Sequence, residues 1–120
     1  MQKRIIQKAQ MNIALFYSDM PMIHDAQSAL DFMMSACYND NSAHIAVNKE
    51  LLCDDFFVLS SGVAGEVLQK AVNYKMKIAI VGDFSKYTSK PLKDFMYECN
   101  NGKDVFFVGD EETAIEKLTK

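Results

Sequence analysis

Short apolar runs occur at intervals along the chain and predict β-strands. The first two, residues 5–6 and 13–17, are separated by polar residues around Gln10, which predicts a hairpin with a tight connection. Residues 77–81 form an unbroken apolar run, as expected of a central strand that is covered on both faces of a sheet. The two remaining predicted strands are residues 44–47 and 104–108.

Apolar residues at helical spacing lie between these strands and predict helices, each with a polar or small residue that suits a helix end. Residues 49–59 show no such regularity, although their apolar side chains must be buried. The predicted helices run from Asp25 to near Tyr38, from Ser60-Ser61-Gly62 to about Tyr74, from Ser89 to Gly102, and onward from Asp110.

The resulting order, ββαβαβαβα, predicts the fold class. Right-handed crossovers between the later strands require parallel pairing, and the opening hairpin adds one antiparallel pair. We therefore expect an α/β fold in which one domain, residues 1–120, contains a mixed and mostly parallel sheet with helices divided unevenly between its faces.

Charge and composition argue against several classes of partner. The formal net charge is −3 and Arg4 is the single arginine, so the clustered cations that neutralise phosphates are missing. No apolar run approaches the ~20 residues that span a bilayer, and residues 1–8 are too polar for a signal peptide. The sequence predicts a cytoplasmic protein that binds neither nucleic acid nor membrane.

The thiols and imidazoles do not form a recognisable metal site. Cys37, Cys53 and Cys99 are odd in number, far apart and set within apolar patterns, which predicts buried structural thiols rather than disulfides. His24 and His44 are too widely separated for a metal or catalytic assignment. We expect no metal, no cofactor and no catalytic residue.

A polar loop leaves the predicted central strand at residues 82–90 and leads into a helix. In open α/β sheets this is the edge where ligands bind. Two lysines, several hydroxyls and a helix N-terminus could hold a phosphate or carboxylate there, although a solvated loop with a Ser89 cap explains the same residues.

The start of the second predicted helix should emerge beside this loop, because both follow consecutive strands joined by a right-handed crossover. The outer side of that helix carries few charges. The predicted partner- or ligand-binding surface therefore comprises Gly62, Glu66, Gln69, Asn73, Asp83, Ser85, Lys86, Tyr87, Ser89 and Lys90.

Residues 60–65 (SSGVAG) and 73–82 (NYKMKIAIVG) resemble the STAS domain, named for sulphate transporters and anti-sigma-factor antagonists. The likeness in element order extends over nearly the whole chain. In the antagonists, a serine in an Asp-Ser-x-Gly turn is phosphorylated to break binding to an anti-sigma kinase, and Ser60 matches that serine. Leu59 replaces the aspartate, so Ser60 and Ser61 are candidates either for phosphorylation or for simple helix capping.

Residues 62–70 (GVAGEVLQK) and 79–90 (AIVGDFSKYTSK) resemble a bacterial family more closely, the domain-of-unknown-function family 4180. That resemblance implies a compact domain with the STAS likeness as a more distant relation, and it implies no chemistry.

Three functions follow as hypotheses. The first is a non-enzymatic regulatory module that binds another protein, or a second copy of itself, through the helix at residues 62–74 and the adjacent loops. The second is a sensor or sequestering protein for an anionic metabolite or nucleotide at residues 82–90. The third is an enzyme using Asp83, Ser85 and Tyr87, whose spacing does not require such a role.

Overall fold

A computed structural model describes residues 1–120 and opens with an antiparallel hairpin. Strand β1 spans Gln2–Lys8 and β2 spans Met11–Tyr17. The two turn residues, Ala9 and Gln10, both have positive φ angles, 54° and 64°, as in the turns whose twist suits a two-residue hairpin. The predicted tight connection at Gln10 is therefore confirmed.

The remaining strands, β3 (His44–Asn48), β4 (Lys77–Val81) and β5 (Val105–Val108), extend the hairpin into one five-stranded sheet. The order is β1-β2-β3-β4-β5, and all pairs after the first are parallel. The predicted α/β class and mixed, mostly parallel sheet are confirmed. As its apolar run predicted, β4 is an interior strand buried on both faces of the sheet, although β3 is the middle one of the five strands.

Four α-helices complete the fold in the predicted order: α1 (Ala26–Asp40), α2 (Val63–Asn73), α3 (Lys90–Asn100) and α4 (Glu111–Leu118). The first three connect successive parallel strands and cover one face of the sheet, whereas α4 packs on β3, β4 and β5 from the other face. None of the four α-helices combines the length and the apolar character that a membrane-spanning segment requires.

The predicted caps of α1, α3 and α4 are present, whereas no side chain caps α2. The carboxylates of Asp25 and Asp110 accept hydrogen bonds from the backbone N–H groups of Ser28 (2.8 Å) and Thr113 (2.7 Å), and the Ser89 hydroxyl caps α3. Helix α1 continues two residues beyond the predicted end at Tyr38, as far as Asp40.

The start of α2 differs from the prediction. Ser60 and Ser61 do not open this helix, since they lie in a preceding 3₁₀ turn, Leu59–Ser61. Gly62 separates the two elements with a φ angle of 85°, in the left-handed region that favours glycine. Two further 3₁₀ turns, Lys49–Leu51 and Asp54–Phe57, account for the irregular segment before it.

The thiols are not all buried, contrary to expectation. Cys99 is buried, Cys53 is partly buried and Cys37 is exposed on α1. Helical spacing placed Cys37 in the apolar stripe, but the buried residues of that helix are Ala29, Met33 and Ala36.

An asparagine side chain covers part of the free edge of β5. The Asn100 amide at the end of α3 accepts a hydrogen bond from the N–H of Phe107 (2.7 Å) and donates one to its C=O (3.2 Å). These are the backbone groups that a neighbouring strand would otherwise bind.

Candidate functional site

The four parallel strands end at the same edge of the sheet, at Tyr17, Asn48, Val81 and Val108. The segments that follow them, residues 18–25, 49–62, 82–89 and 109–110, are therefore neighbours. This edge contains the predicted loop at residues 82–90 and the predicted serines, and we refer to it as the carboxyl edge.

Asn48 ties two of these segments together. Its buried amide accepts a hydrogen bond from the N–H of Ser18 (2.9 Å) and donates one to the C=O of the same residue (2.7 Å). The side chain thus reproduces a strand-like pairing just beyond the last paired residues, Phe16 and Val47. It fixes the direction in which the chain leaves β2.

Lys49 crosses from the segment after β3 to the segment after β4. Its Nζ donates a hydrogen bond to the backbone O of Asp83 (2.8 Å) and lies 5.5 Å from the centre of the Tyr87 ring. Its aliphatic stem passes so close to Gly82 that an added Cβ would be 2.8 Å from Lys49 Cδ. Sequence reasoning missed Lys49, although its place directly after β3 was a usable signal.

An aromatic cluster anchors the predicted loop. The rings of Phe57 and Tyr87 stack at 4.5 Å and 13°, and Phe84 packs edge-on against Phe107 at 5.5 Å. Tyr87 is therefore held against the protein by one ring face, and Phe57 is a second residue that the sequence did not single out.

Several polar side chains of the loop have partners in the loop or in the first turns of α3. Asp83 accepts a hydrogen bond from the N–H of Ser85 (2.9 Å), and that bond lowers the pKa of Asp83. Lys90 pairs with Asp94 at 2.7 Å, which raises the pKa of the lysine. The Lys86 Nζ lies 5.2 Å from the Tyr87 ring centre.

Charged groups of both signs line the cavity next to Lys86. This cavity, about 240 Å³, also includes Lys49 and three carboxylate side chains. Its charged residues are Asp19, Lys49, Glu50, Asp54 and Lys86.

The predicted serines lie on the other side of Phe57. Ser60 is exposed and lines a shallow cavity of about 550 Å³ together with Ser89. The hydroxyl of Ser61 instead donates a hydrogen bond to the backbone O of Asp55 and accepts one from the N–H of Val63 (3.3 Å). The lining of the cavity contains no charged side chain and consists of Phe57, Val58, Leu59, Ser60, Ser89 and Pro91.

The predicted outer face of α2 is exposed at Glu66, Gln69 and Asn73. Gln69 donates a hydrogen bond from Nε2 to Oδ1 of Asn73 (2.9 Å). None of the three lines the cavity at Ser60 and Ser89, so the structure brings these two serines together and leaves the helix face as a separate stretch of surface.

The carboxyl edge shows no cluster of three or more His, Cys, Asp or Glu side chains that could hold a metal ion, and the rest of the chain shows none either. Its distinguishing chemistry is an uncharged, partly apolar depression beside a loop in which Lys90 is paired with Asp94 and Asp83 accepts the Ser85 N–H.

The fold and this edge define a single-domain α/β protein with a mixed sheet, three helices on one face and one on the other. A model of the family described as Domain of unknown function (DUF4180) matches residues 8–118, and the chain belongs to this family. No curated protein and no solved structure matches the chain.

Proposed function

We propose that the chain is a non-enzymatic regulatory module that binds another protein at the carboxyl edge. The docking surface in this proposal has two parts, the cavity formed by residues 57–62 with Ser89 and Pro91, and the separate outer face of α2. The STAS-like assignment belongs to the same proposal. It is supported by the element order and by the position of Ser60 just before Gly62 and α2.

The observation that carries this proposal is the exposed apolar rim of the uncharged cavity. Val58 is 51% exposed, and the six lining residues offer apolar groups and hydroxyls without a charge to desolvate. The cores of protein interfaces have this composition, with charged residues depleted. An apolar side chain of a partner would displace water from Phe57 and Pro91 at little electrostatic cost.

An anionic ligand at residues 82–90 is less well supported. Lys90 is paired with Asp94, and the cavity at Lys86 contains two lysines against three carboxylates. A phosphate or carboxylate entering this cavity would therefore meet net negative charge.

The test compares Val58→Asp with Val72→Asp. Val72 is the matched control, since it is 45% exposed but lines a different cavity, toward α3. Mass spectrometry identifies the proteins that are retained by the wild-type chain and by Val72→Asp but not by Val58→Asp. The purified candidate is then titrated calorimetrically, and we expect Val58→Asp to weaken its binding at least tenfold.

Equal retention of every partner by Val58→Asp would refute the docking surface. Sedimentation of the purified chain provides a second readout, because a second copy as the occupant would appear as a dimer that Val58→Asp dissociates. A monomer with no specific partner would contradict the proposal as a whole.

The phosphorylation switch is tested on the same partner. Ser60→Asp introduces a negative charge into the uncharged cavity and should weaken binding, whereas Ser60→Ala should bind as the wild type does. Ser61→Asp serves as the comparison, because the Ser61 hydroxyl is hydrogen-bonded within the turn. Unchanged binding by Ser60→Asp would remove Ser60 as the switch. Cytoplasmic location stays a prediction, to be checked by cell fractionation.

A further inference from the structure

Another cavity, which we call the cleft, lies on the opposite face of the sheet, the face that α4 covers. It has a volume of about 290 Å³ and lies between β1 and the first turn of α4. Leu15 and Ala46, which are direct neighbours on β2 and β3, are buried beneath it.

The two ends of the chain close one side of the cleft. Arg4 of β1 forms an ion pair with Glu111, the first residue of α4, across 107 positions of sequence. The pair spans from the hairpin to the helix and neutralises both groups. The guanidinium retains further N–H donors, because only one of its nitrogens contacts Glu111.

The charges that line the cleft leave an excess of negative charge. Among the lining residues, Arg4 carries a positive charge, and Glu50 and Glu111 carry negative charges. The net charge of the lining is therefore −1. Because Arg4 and Glu111 are paired, the excess resides at Glu50. Its carboxylate accepts a hydrogen bond from the Asn48 amide (3.2 Å) and has a distant lysine neighbour, Lys49, at 4.0 Å.

The neighbouring lysine is directed elsewhere. The Lys49 Nζ makes its short hydrogen bond to the backbone O of Asp83, at 2.8 Å. Tyr17, which also lines the cleft, has a raised pKa, mainly because its hydroxyl donates to Asp19 and with a further contribution from the charge of Glu50. Two carboxylates thus lie on this side of the cleft, Glu50 in its lining and Asp19 next to Tyr17.

We propose that the cleft binds a small aliphatic compound with a protonated amino group. The ammonium group would bind Glu50, and the aliphatic part would cover Leu15, Ala46 and Val81. Charge complementarity favours a cation, and the volume, at the lower limit of small-molecule sites, favours a ligand of about amino-acid size. This site lies on the other face from the docking surface and does not depend on it.

Three probes that share an isobutyl group separate the sources of such a ligand: isoamylamine, L-leucine and isovalerate. Each is titrated to millimolar concentration against the full chain and followed in two-dimensional amide NMR spectra. We expect isoamylamine to shift the amide signals of Ala46, Asn48 and Glu50 and to leave those of Ser60 and Glu66 in place. Binding of L-leucine as well would identify an amino acid, with its carboxylate on the free donors of Arg4.

The matched variants are Glu50→Gln and Glu66→Gln, both of which change an exposed carboxylate to an amide. Glu50→Gln should weaken amine binding about tenfold, as expected for loss of a charged hydrogen bond, and Glu66→Gln should leave it unchanged. Ala46→Val, which fills the cleft, should abolish binding. Failure of all three probes to bind, preferential binding of isovalerate, or equal binding by Glu50→Gln would overturn the proposal.

Discussion

Removing the Asn48 amide should destabilise the protein markedly, because Ser18 has no other partner for its backbone groups at that point. Ser18 is 5% exposed and Asn48 is 9% exposed, and the amide satisfies both the N–H and the C=O of Ser18. A buried polar group that loses its partner costs about 1–3 kcal/mol, and water from the adjacent cleft offsets part of this cost. We therefore expect Asn48→Ala to lower the free energy of unfolding by about 2–4 kcal/mol.

That loss is large against the roughly 5–15 kcal/mol by which domains are stable, and it corresponds to a fall in Tm of roughly 10 °C. Urea unfolding followed by circular dichroism measures it directly. Asn73→Ala is the matched control, since this exposed amide bonds only the neighbouring Gln69 side chain and should change stability by less than about 0.5 kcal/mol. Equal midpoints for the two variants would refute the role assigned to Asn48.

A third variant separates the two hydrogen bonds. Asn48→Asp keeps an acceptor for the Ser18 N–H but places a carboxylate against the Ser18 carbonyl and near Glu50. Such surroundings raise the pKa of the introduced carboxyl in the folded state, so the folded protein binds the proton more tightly than the unfolded chain. The stability of this variant relative to the wild type should therefore rise as the pH falls.

Three further outcomes are expected. Gly82→Ala would place a Cβ 2.8 Å from the stem of Lys49 and should cost about 1 kcal/mol in urea unfolding, less so when Lys49→Ala is also present. The pKa of Asp25 is lowered, first by its hydrogen bond from the Ser28 N–H, so its stabilising effect is present above its ordinary pKa of 3.8 and is lost as pH falls through the lowered value. Asp25→Asn keeps a capping oxygen but has no carboxylate to protonate. Urea titrations of this variant should therefore show a smaller loss of stability at acid pH. Burial raises the pKa of the Cys99 thiol to about 11, so iodoacetamide should modify it far more slowly than the exposed thiol of α1, as peptide mass spectrometry can measure.

Local patterns predicted those parts of the fold that depend on neighbours in sequence. The turn at Gln10, the capping residues Asp25 and Asp110, and the alternation of strands and helices all follow from interactions within a few residues. The position of β4 within the sheet does not, because an apolar strand is compatible with any interior place. The 3₁₀ turns at residues 49–61 are too short for their spacing to be distinguished from a loop.

The candidate sites depend on contacts between distant residues, and sequence reasoning recovered them only in part. It placed Ser60 and Ser89 at the same edge, because crossover handedness brings consecutive strand ends together. It did not find the stacking of Phe57 on Tyr87 or the reach of Lys49 to Asp83, since side-chain direction decides both. The cleft closed by Arg4 and Glu111 could not be inferred from spacing at all.

The Asn100 amide on β5 affects how the chain can assemble. Since it occupies the outward N–H and C=O of Phe107, an incoming strand could not hydrogen-bond there without first displacing a side chain of the same molecule. Growth of the sheet from chain to chain, the usual hazard of an exposed edge, is thereby obstructed at this end. Asn100→Leu should consequently form intermolecular β-structure more readily on mild heating, even where its native fold and its binding to partners are intact.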